Sequence, residues 1–332
     1  MLHRSLALPL HRASQRGGTV FLRGPRSSGK TALLEREFPG HTYVSLDNAA
    51  DRARARANPA GFLARLRGPA IIDDLHGAPE LVRHLLFPVE RPLILVSSRR
   101  LTLGYETLEL YAPTRAERQR REPVSLAMLG RFAPSAIPVA TAFAAWPARR
   151  NFIESDLRDL VSVHDLDRFE AFLKTAQSHS GQILDQQSLV RQCGLSHSTV
   201  SRWLGVLDAC FQTILLPFPS NDFGRRLIRR PKLHFLESEC FESQVVSELF
   251  RNAKHAGETP YLGYWRDSNG LEIPLLVDGV IPVGIASSPN PADVNRLKRW
   301  MKLAGAKQGA LIAESNAPAR TGGILRYALD QL

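Results

Sequence analysis

The chain has 332 residues, of which 44% are hydrophobic and 23% charged, a globular balance that excludes wholesale disorder. It lacks a run of about 18 apolar residues, so we predict no membrane-spanning helix. Its three cysteines, without a Cys-x-x-Cys pair, exclude a disulfide framework and indicate a reducing, cytoplasmic compartment. The net charge of +11 favours a polyanionic partner such as nucleic acid, with an arginine-rich solvated surface as the plainer alternative.

The first third of the chain alternates short apolar strands with helices. Residues 1–14 have neither the apolar segment nor the cleavage site of a targeting peptide, and we expect them to belong to the fold. The predicted strands are 19–22, 42–46, 70–72, 93–96 and 105–110. Because these strands are largely apolar, they predict an α/β fold with a parallel sheet covered on both faces. A helix at 51–67 is broken by Asn58 and Pro59.

Composition changes twice farther along the chain. Residues 113–150 are rich in alanine, arginine and proline, residues 151–207 have a helical pattern, and a mixed α/β tail follows. We therefore predict three domains, at 1–122, 123–235 and 236–332.

The most specific motif is the segment 24–31, which matches G-x-x-x-x-G-K-[ST] between a strand and a helix. Glycines let backbone N–H groups face a phosphate, and the following helix presents its N-terminal amides to the same anion. Lys30 is predicted to bind the β- and γ-phosphates and assist catalysis, and Thr31 to ligate Mg²⁺. The predicted ATP contacts in this segment are Gly24, Pro25, Arg26, Ser27, Ser28, Gly29, Lys30 and Thr31.

Two aspartates follow the third predicted strand. Asp73 is predicted to hold Mg²⁺, and Asp74 to orient the attacking water as a catalytic residue. Many NTPases carry Glu at the second position, and a displacement of about 1 Å can cost about a hundredfold in rate. Ser98, at the end of the next strand, is a candidate contact to the γ-phosphate or a simple turn serine.

Residues 187–204 predict a helix-turn-helix, with Gly194 and Ser196 in the turn. The second helix exposes polar residues and turns Val200, Trp203 and Leu204 inward. With the strand at 213–216 and the basic run after it as the wing, this pattern is typical of a DNA-reading winged helix. A protein-binding winged helix with a solvated basic face is the alternative. The candidate nucleic-acid contacts are His197, Ser198, Ser201, Arg202, Arg225, Arg226, Arg229, Arg230 and Lys232.

Taken together, these segments resemble a family of bacterial and archaeal predicted AAA+ superfamily ATPases with a C-terminal domain of unknown function. The resemblance lies at 24–31, 43–47, 71–76, 79–81, 94–98, 152–158, 169–207, 229–233, 241–242, 248–249 and 264–267. It implies a P-loop ATPase domain, a winged helix and a tail with the restriction-endonuclease fold. Asp74 replaces the usual Glu, and Tyr105 and Ser155 stand where family members often have arginine. A missing arginine finger can cost about 10³–10⁵ in rate, so we expect slow hydrolysis.

The tail departs from the nuclease pattern that the resemblance implies. Glu242 matches the helix glutamate, and the two site strands are expected at 271–277 and 280–286. Pro274 stands where the family has its metal-binding aspartate, and 284–286 reads Gly-Ile-Ala in place of Glu-x-Lys. Because Mg²⁺ needs oxygen ligands, we predict no nuclease activity.

Two functions follow from these features. The first is a DNA-associated ATPase that uses ATP and Mg²⁺, with self-association as a further expectation. The second is a nucleotide-held switch whose C-terminal half docks a protein partner. Strong salt dependence of DNA binding distinguishes the first, because phosphate contacts release counterions.

Overall fold

The computed structural model describes residues 3–85, 92–120, 122–123, 160–161, 165–218, 230–314 and 319–332. The first unit is built on a five-stranded parallel sheet with the order β2-β3-β4-β1-β5. Its strands are β1 (Thr19–Arg23), β2 (Thr42–Ser45), β3 (Ala70–Asp73), β4 (Leu93–Ser97) and β5 (Glu106–Glu109). The predicted parallel sheet is confirmed, and each observed strand overlaps the range predicted for it.

Helices cover both faces of this sheet. The helices are α1 (Ala7–Gly17), α2 (Lys30–Glu37), α3 (Ala49–Ala57), α4 (Pro59–Arg65) and α5 (Arg115–Gln119), with 3-10 turns at Leu75–Gly77 and Pro79–His84. Leu6, Leu10 and Leu34 pack on one face, and Phe62 and Leu81 on the other. The predicted break at Asn58 is confirmed, because α3 ends there and the Asn58 side chain caps α4.

Among its described residues, the second unit combines three helices with a small antiparallel sheet. Its helices are α6 (Leu166–Ser178), α7 (Gln186–Cys193) and α8 (His197–Ala209), and its strands are β6 (Gln182–Ile183), β7 (Thr213–Leu216) and β8 (Lys232–Phe235). The strand order is β6-β8-β7. Trp203 is buried against the rings of Phe169 and Phe172. Gly194 ends α7 in the left-handed region and Ser196 caps α8, as the sequence predicts.

The third unit is a six-stranded mixed sheet with the order β13-β14-β12-β11-β10-β9. Its strands are β9 (Leu262–Arg266), β10 (Glu272–Val277), β11 (Ile281–Ile285), β12 (Gly309–Ala313), β13 (Ala319–Thr321) and β14 (Ile324–Ala328). Helices α9 (Phe241–His255) and α10 (Pro291–Ala304) pack on opposite faces. The pairing of β10 with β9 shifts register between Ile273 and Leu276, around Pro274, which has no N–H to donate.

The three units are in direct contact. Tyr111, which follows β5, and Phe211, which follows α8, lie in the apolar cluster that α9 forms with the third sheet. The Arg100 guanidinium lies 4.4 Å from the centre of the Phe211 ring and donates to the Asp208 carbonyl. Within the described ranges, no helix is long and apolar enough to cross a membrane.

Candidate functional site

The segment 24–31, here called the glycine loop, joins β1 to α2 at the carboxyl edge of the first sheet. Gly24 donates its N–H to the Ser97 carbonyl of β4 at 3.1 Å. A Cβ at Gly24 would lie 1.9 Å from the Leu110 carbonyl oxygen, and Gly29 has a left-handed φ of 90°. Both glycines of the motif are therefore required by the backbone itself.

Lys30 folds back across the glycine loop. Its Nζ donates to the carbonyls of Gly24 at 2.9 Å and Pro25 at 2.8 Å, and the side chain is buried. The hydroxyls of Ser28 and Ser98 are also buried, and neither has a hydrogen-bond partner among the residues that the structure describes. An unpartnered buried hydroxyl costs free energy, so each of these two oxygens is a candidate contact for a polar ligand.

The two predicted metal ligands meet across the sheet edge. Thr31 Oγ1 donates to Asp73 Oδ2 at 3.2 Å, although the two residues are far apart in the chain. The Tyr43 hydroxyl donates to the same carboxylate oxygen, and burial raises the pKa of Tyr43. The sequence predicts no role for Tyr43. The pairing of β2 with β3 sets Tyr43 opposite Ile71, two residues before Asp73, and from there its hydroxyl reaches the Asp73 carboxylate.

Asp74 follows β3 in a left-handed conformation with φ 56°. Its N–H donates to Asp73 Oδ1 at 2.7 Å. Burial, and then the neighbouring Asp73 carboxylate, raise the pKa of Asp74 to about 6. A carboxyl group whose pKa is raised toward neutral pH in this way is typical of functional sites. The structure thus brings Lys30, Thr31, Asp73 and Asp74 to one edge of the sheet.

We expect Asp74→Asn to stabilise the ligand-free protein. Because the pKa is raised, the folded protein favours the protonated form of Asp74. The free energy of unfolding therefore falls as pH rises from 3.8 through about 6 and Asp74 ionises in the fold. Removing the charge should raise the free energy of unfolding by about 2 kcal/mol at pH 8, as measured by chemical denaturation. If Asp74 has the role in ATP hydrolysis that the sequence predicts, the same substitution should lower ATP turnover about 10²–10⁴-fold.

Asp47→Asn is the matched control for Asp74→Asn, because Asp47 is an exposed carboxylate in the same region. It should change stability by less than about 0.5 kcal/mol. Destabilisation by Asp74→Asn would assign Asp74 a structural role instead.

The residues predicted to contact nucleic acid fall into two groups. On α8, His197, Ser198, Ser201 and Arg202 are all exposed along one face. Arg230 is exposed and lies 3.5 Å from Asp185. Arg225, Arg226 and Arg229 lie outside the described residues.

The prediction that Lys232 contacts a phosphate backbone is wrong. Its side chain is 3% exposed, and Nζ donates to Glu242 Oε1 at 2.7 Å and Glu272 Oε1 at 2.6 Å. Burial opposes the charged form, but the two carboxylates outweigh it and raise the pKa of Lys232. The ammonium therefore joins the helix glutamate of the tail to β10 and does not face solvent.

We expect Lys232→Met to destabilise the protein by about 2 kcal/mol, because breaking a buried ion pair leaves its carboxylates uncompensated. The partly exposed glutamates limit the loss, since water reaches them. Chemical denaturation measures the change. Lys298→Met, on the exposed face of α10, is the control and should be neutral. An equally small effect at Lys232 would show that the pair contributes nothing to stability.

The model of a domain of unknown function (DUF8612) matches residues 146–238, a range that contains α6 to β8 and ends before α9. No curated protein matches the chain.

Proposed function

We propose that the protein binds Mg²⁺-ATP at the glycine loop and hydrolyses it slowly in association with double-stranded DNA. The observation that carries this proposal is the contact of Thr31 with Asp73 beside the glycine loop, across which Lys30 folds. The Lys30 ammonium is suited to bind phosphate oxygens, and the Thr31 and Asp73 oxygens are ligands that Mg²⁺ prefers.

The side chains around the loop fit a triphosphate. The unpartnered hydroxyls of Ser28 and Ser98 are suited to donate to phosphate oxygens. Because β4 lies between β1 and β3, Ser98 follows the strand that separates the glycine loop from Asp73. The N-terminal amides of α2, together with the helix dipole, favour an anion at the same place.

Each residue then has a separate task in hydrolysis. Lys30 neutralises phosphate charge, Thr31 and Asp73 hold the metal, and Asp74 orients water and accepts its proton. When bound, Mg²⁺ offsets the negative charge that develops on the phosphate oxygens. Asp74 is ionised above about pH 6, which lets it act as a base at neutral pH.

DNA association is supported by charge and by the exposed face of α8. The chain carries a net charge of +11, and Arg202 and His197 are exposed on a helix that follows a short turn. Lys232 is buried and cannot make this contact. Among the described residues, the proposed DNA contacts therefore lie on α8 and at Arg230. Lys232 pairs with Glu242, the helix glutamate of the tail, and β10 has Pro274 where a metal-binding aspartate is expected, which supports a tail without nuclease activity.

A nucleotide-held switch is the second candidate, and the geometry of Asp74 favours it. Asp74 is one methylene shorter than the glutamate that many NTPases use, and its backbone is in a left-handed conformation. The shorter side chain sets the carboxylate back, and a displacement of about 1 Å can cost about a hundredfold in rate. In this case ATP is held for long periods and the C-terminal half docks a protein.

Steady-state ATP turnover, measured with and without double-stranded DNA, tests the proposal. We expect slow turnover that DNA stimulates, and DNA binding that weakens steeply with salt. Arg202→Ala should remove about one unit of the salt slope, whereas Arg168→Ala, on α6, should not. Tight ATP binding without turnover or DNA effect would favour the switch. Absence of ATP binding would refute both.

A further inference from the structure

A buried arginine lies directly behind the glycine loop. Arg4, in the segment before α1, is 5% exposed. Its Nη1 donates to the Ser28 carbonyl at 2.6 Å and its Nη2 to the Tyr111 carbonyl at 2.6 Å. A Cβ on Gly29 would lie 3.1 Å from Nη1, so the guanidinium packs closely against the loop. Arg4 therefore ties the middle of the loop to the segment that follows β5.

Holding the Ser28 carbonyl determines the direction of the next amide. The peptide bond between Ser28 and Gly29 is planar and trans, so its C=O and N–H point in opposite directions. Because Arg4 holds the carbonyl, the Gly29 N–H points away from Arg4. Anion binding by a glycine loop depends on the direction of such N–H groups.

The guanidinium of Arg4 is itself held by Glu117 of α5. Glu117 Oε2 accepts from Arg4 Nε at 3.2 Å and from the Thr114 N–H at 3.1 Å, and Oε1 accepts from the Ser5 N–H at 2.7 Å. Burial opposes ionisation of Glu117, but contacts with His255 and Arg4 outweigh it and lower its pKa to about 2. Glu117 is thus a fixed anion that orients Arg4.

The third residue of this set of contacts, after Arg4 and Glu117, comes from the C-terminal unit. His255 is the last residue of α9 and is 1% exposed. Its Nε2 accepts from the Tyr111 N–H at 3.0 Å, and Nδ1 lies 3.2 Å from Glu117 Oε2. Since Nε2 is an acceptor, the neutral ring carries its proton on Nδ1, which lies near the carboxylate without meeting hydrogen-bond geometry. Tyr111 is consequently bound through its N–H to His255 and through its carbonyl to Arg4.

We propose that Arg4, Glu117 and His255 are positioning residues through which the end of α9 sets the anion-binding conformation of the glycine loop. Nucleotide affinity then depends on the docking of the C-terminal unit. By linkage, a nucleotide at the loop stabilises the end of α9 and α5. The inference rests on the proposed nucleotide site and adds a route by which the C-terminal half regulates it.

The first measurement is ATP affinity of the full-length chain with Mg²⁺, by calorimetry. Arg4→Lys should weaken binding about tenfold or more, because one ammonium cannot bridge three acceptors in fixed directions. Glu117→Gln should also weaken it. Lys254→Met is the matched control: Lys254 joins the same end of α9 to Glu109 at 3.4 Å without contacting the loop, and its loss should change affinity less than about twofold.

The second measurement needs no variant. Hydrogen exchange of the wild-type chain should slow at 115–119 and 252–257 when ATP binds, a change that a purely structural role for the three residues does not produce. Arg4→Lys should reduce that protection at saturating ATP. If ATP binds and neither segment responds, or if both variants bind ATP like the wild type, the positioning role is overturned. If the wild type binds no ATP, the proposed function itself fails and this inference with it.

Discussion

Lys30→Met should raise the dissociation constant for Mg²⁺-ATP about 100-fold and remove turnover. A charge-assisted hydrogen bond contributes about 1.5–3 kcal/mol, and about 1.4 kcal/mol corresponds to a tenfold change in affinity. The Lys30 ammonium already meets two oxygen acceptors in the loop, the carbonyls of Gly24 and Pro25, so the side chain has the reach for phosphate oxygens. Calorimetric titration with ATP and a turnover assay measure the two effects.

The control for Lys30→Met is Lys174→Met, which removes a lysine from the exposed face of α6. Both variants lose one positive charge, so a general electrostatic effect on ATP would appear in both. Equal affinity of the Lys30 variant and the wild type would contradict the phosphate role of the glycine loop. Thermal unfolding of the ligand-free variant checks that the loop carbonyls tolerate the loss of their donor.

Gly24→Ala should destabilise the first unit by about 3–5 kcal/mol, because overpacking against backbone is not relieved by a change of rotamer. The added Cβ would meet the Leu110 carbonyl oxygen at 1.9 Å and its carbon at 2.9 Å. Leu110 in turn donates its N–H to the Arg23 carbonyl, so the clash is relieved only by separating the ends of β1 and β5. Chemical denaturation followed by circular dichroism measures the loss.

Gly104→Ala provides the comparison for Gly24. Gly104 precedes β5, and a Cβ there meets nothing within 4 Å in the described structure. The substitution should change stability by less than about 0.5 kcal/mol. Similar stabilities for the two variants would mean that the strand ends yield easily, and the close approach at Gly24 would then have no energetic importance.

Local patterns account for the parts of the fold that the sequence predicted. Apolar runs located the three central strands of the first sheet, β1, β3 and β4, because a strand covered on both faces is apolar at successive positions. The edge strand β2 was located by its β-branched and aromatic content. Asn58 ended one helix and began the next, and Gly194 and Ser196 bounded the turn before α8. Each of these features depends on a few neighbouring residues and needs no knowledge of distant contacts.

Contacts between distant segments explain what the sequence did not predict. Lys232 lies next to a basic run and has the pattern of a solvated cation. Its burial depends on Glu242 and Glu272, which lie 10 and 40 residues away in the chain. A charge is buried only where partners compensate its desolvation, and one-dimensional spacing does not identify those partners.

The candidate site likewise has a part that the sequence predicted and a part that only the tertiary structure shows. The sequence by itself determined the glycine loop, because residues 24–31 are contiguous and their spacing carries the chemistry. Only the tertiary structure decided that Tyr43 shares the Asp73 carboxylate and that Arg4, Glu117 and His255 meet behind the loop. Strand order and domain docking made those contacts, and both arise from packing between segments that leaves no periodic signal in the sequence.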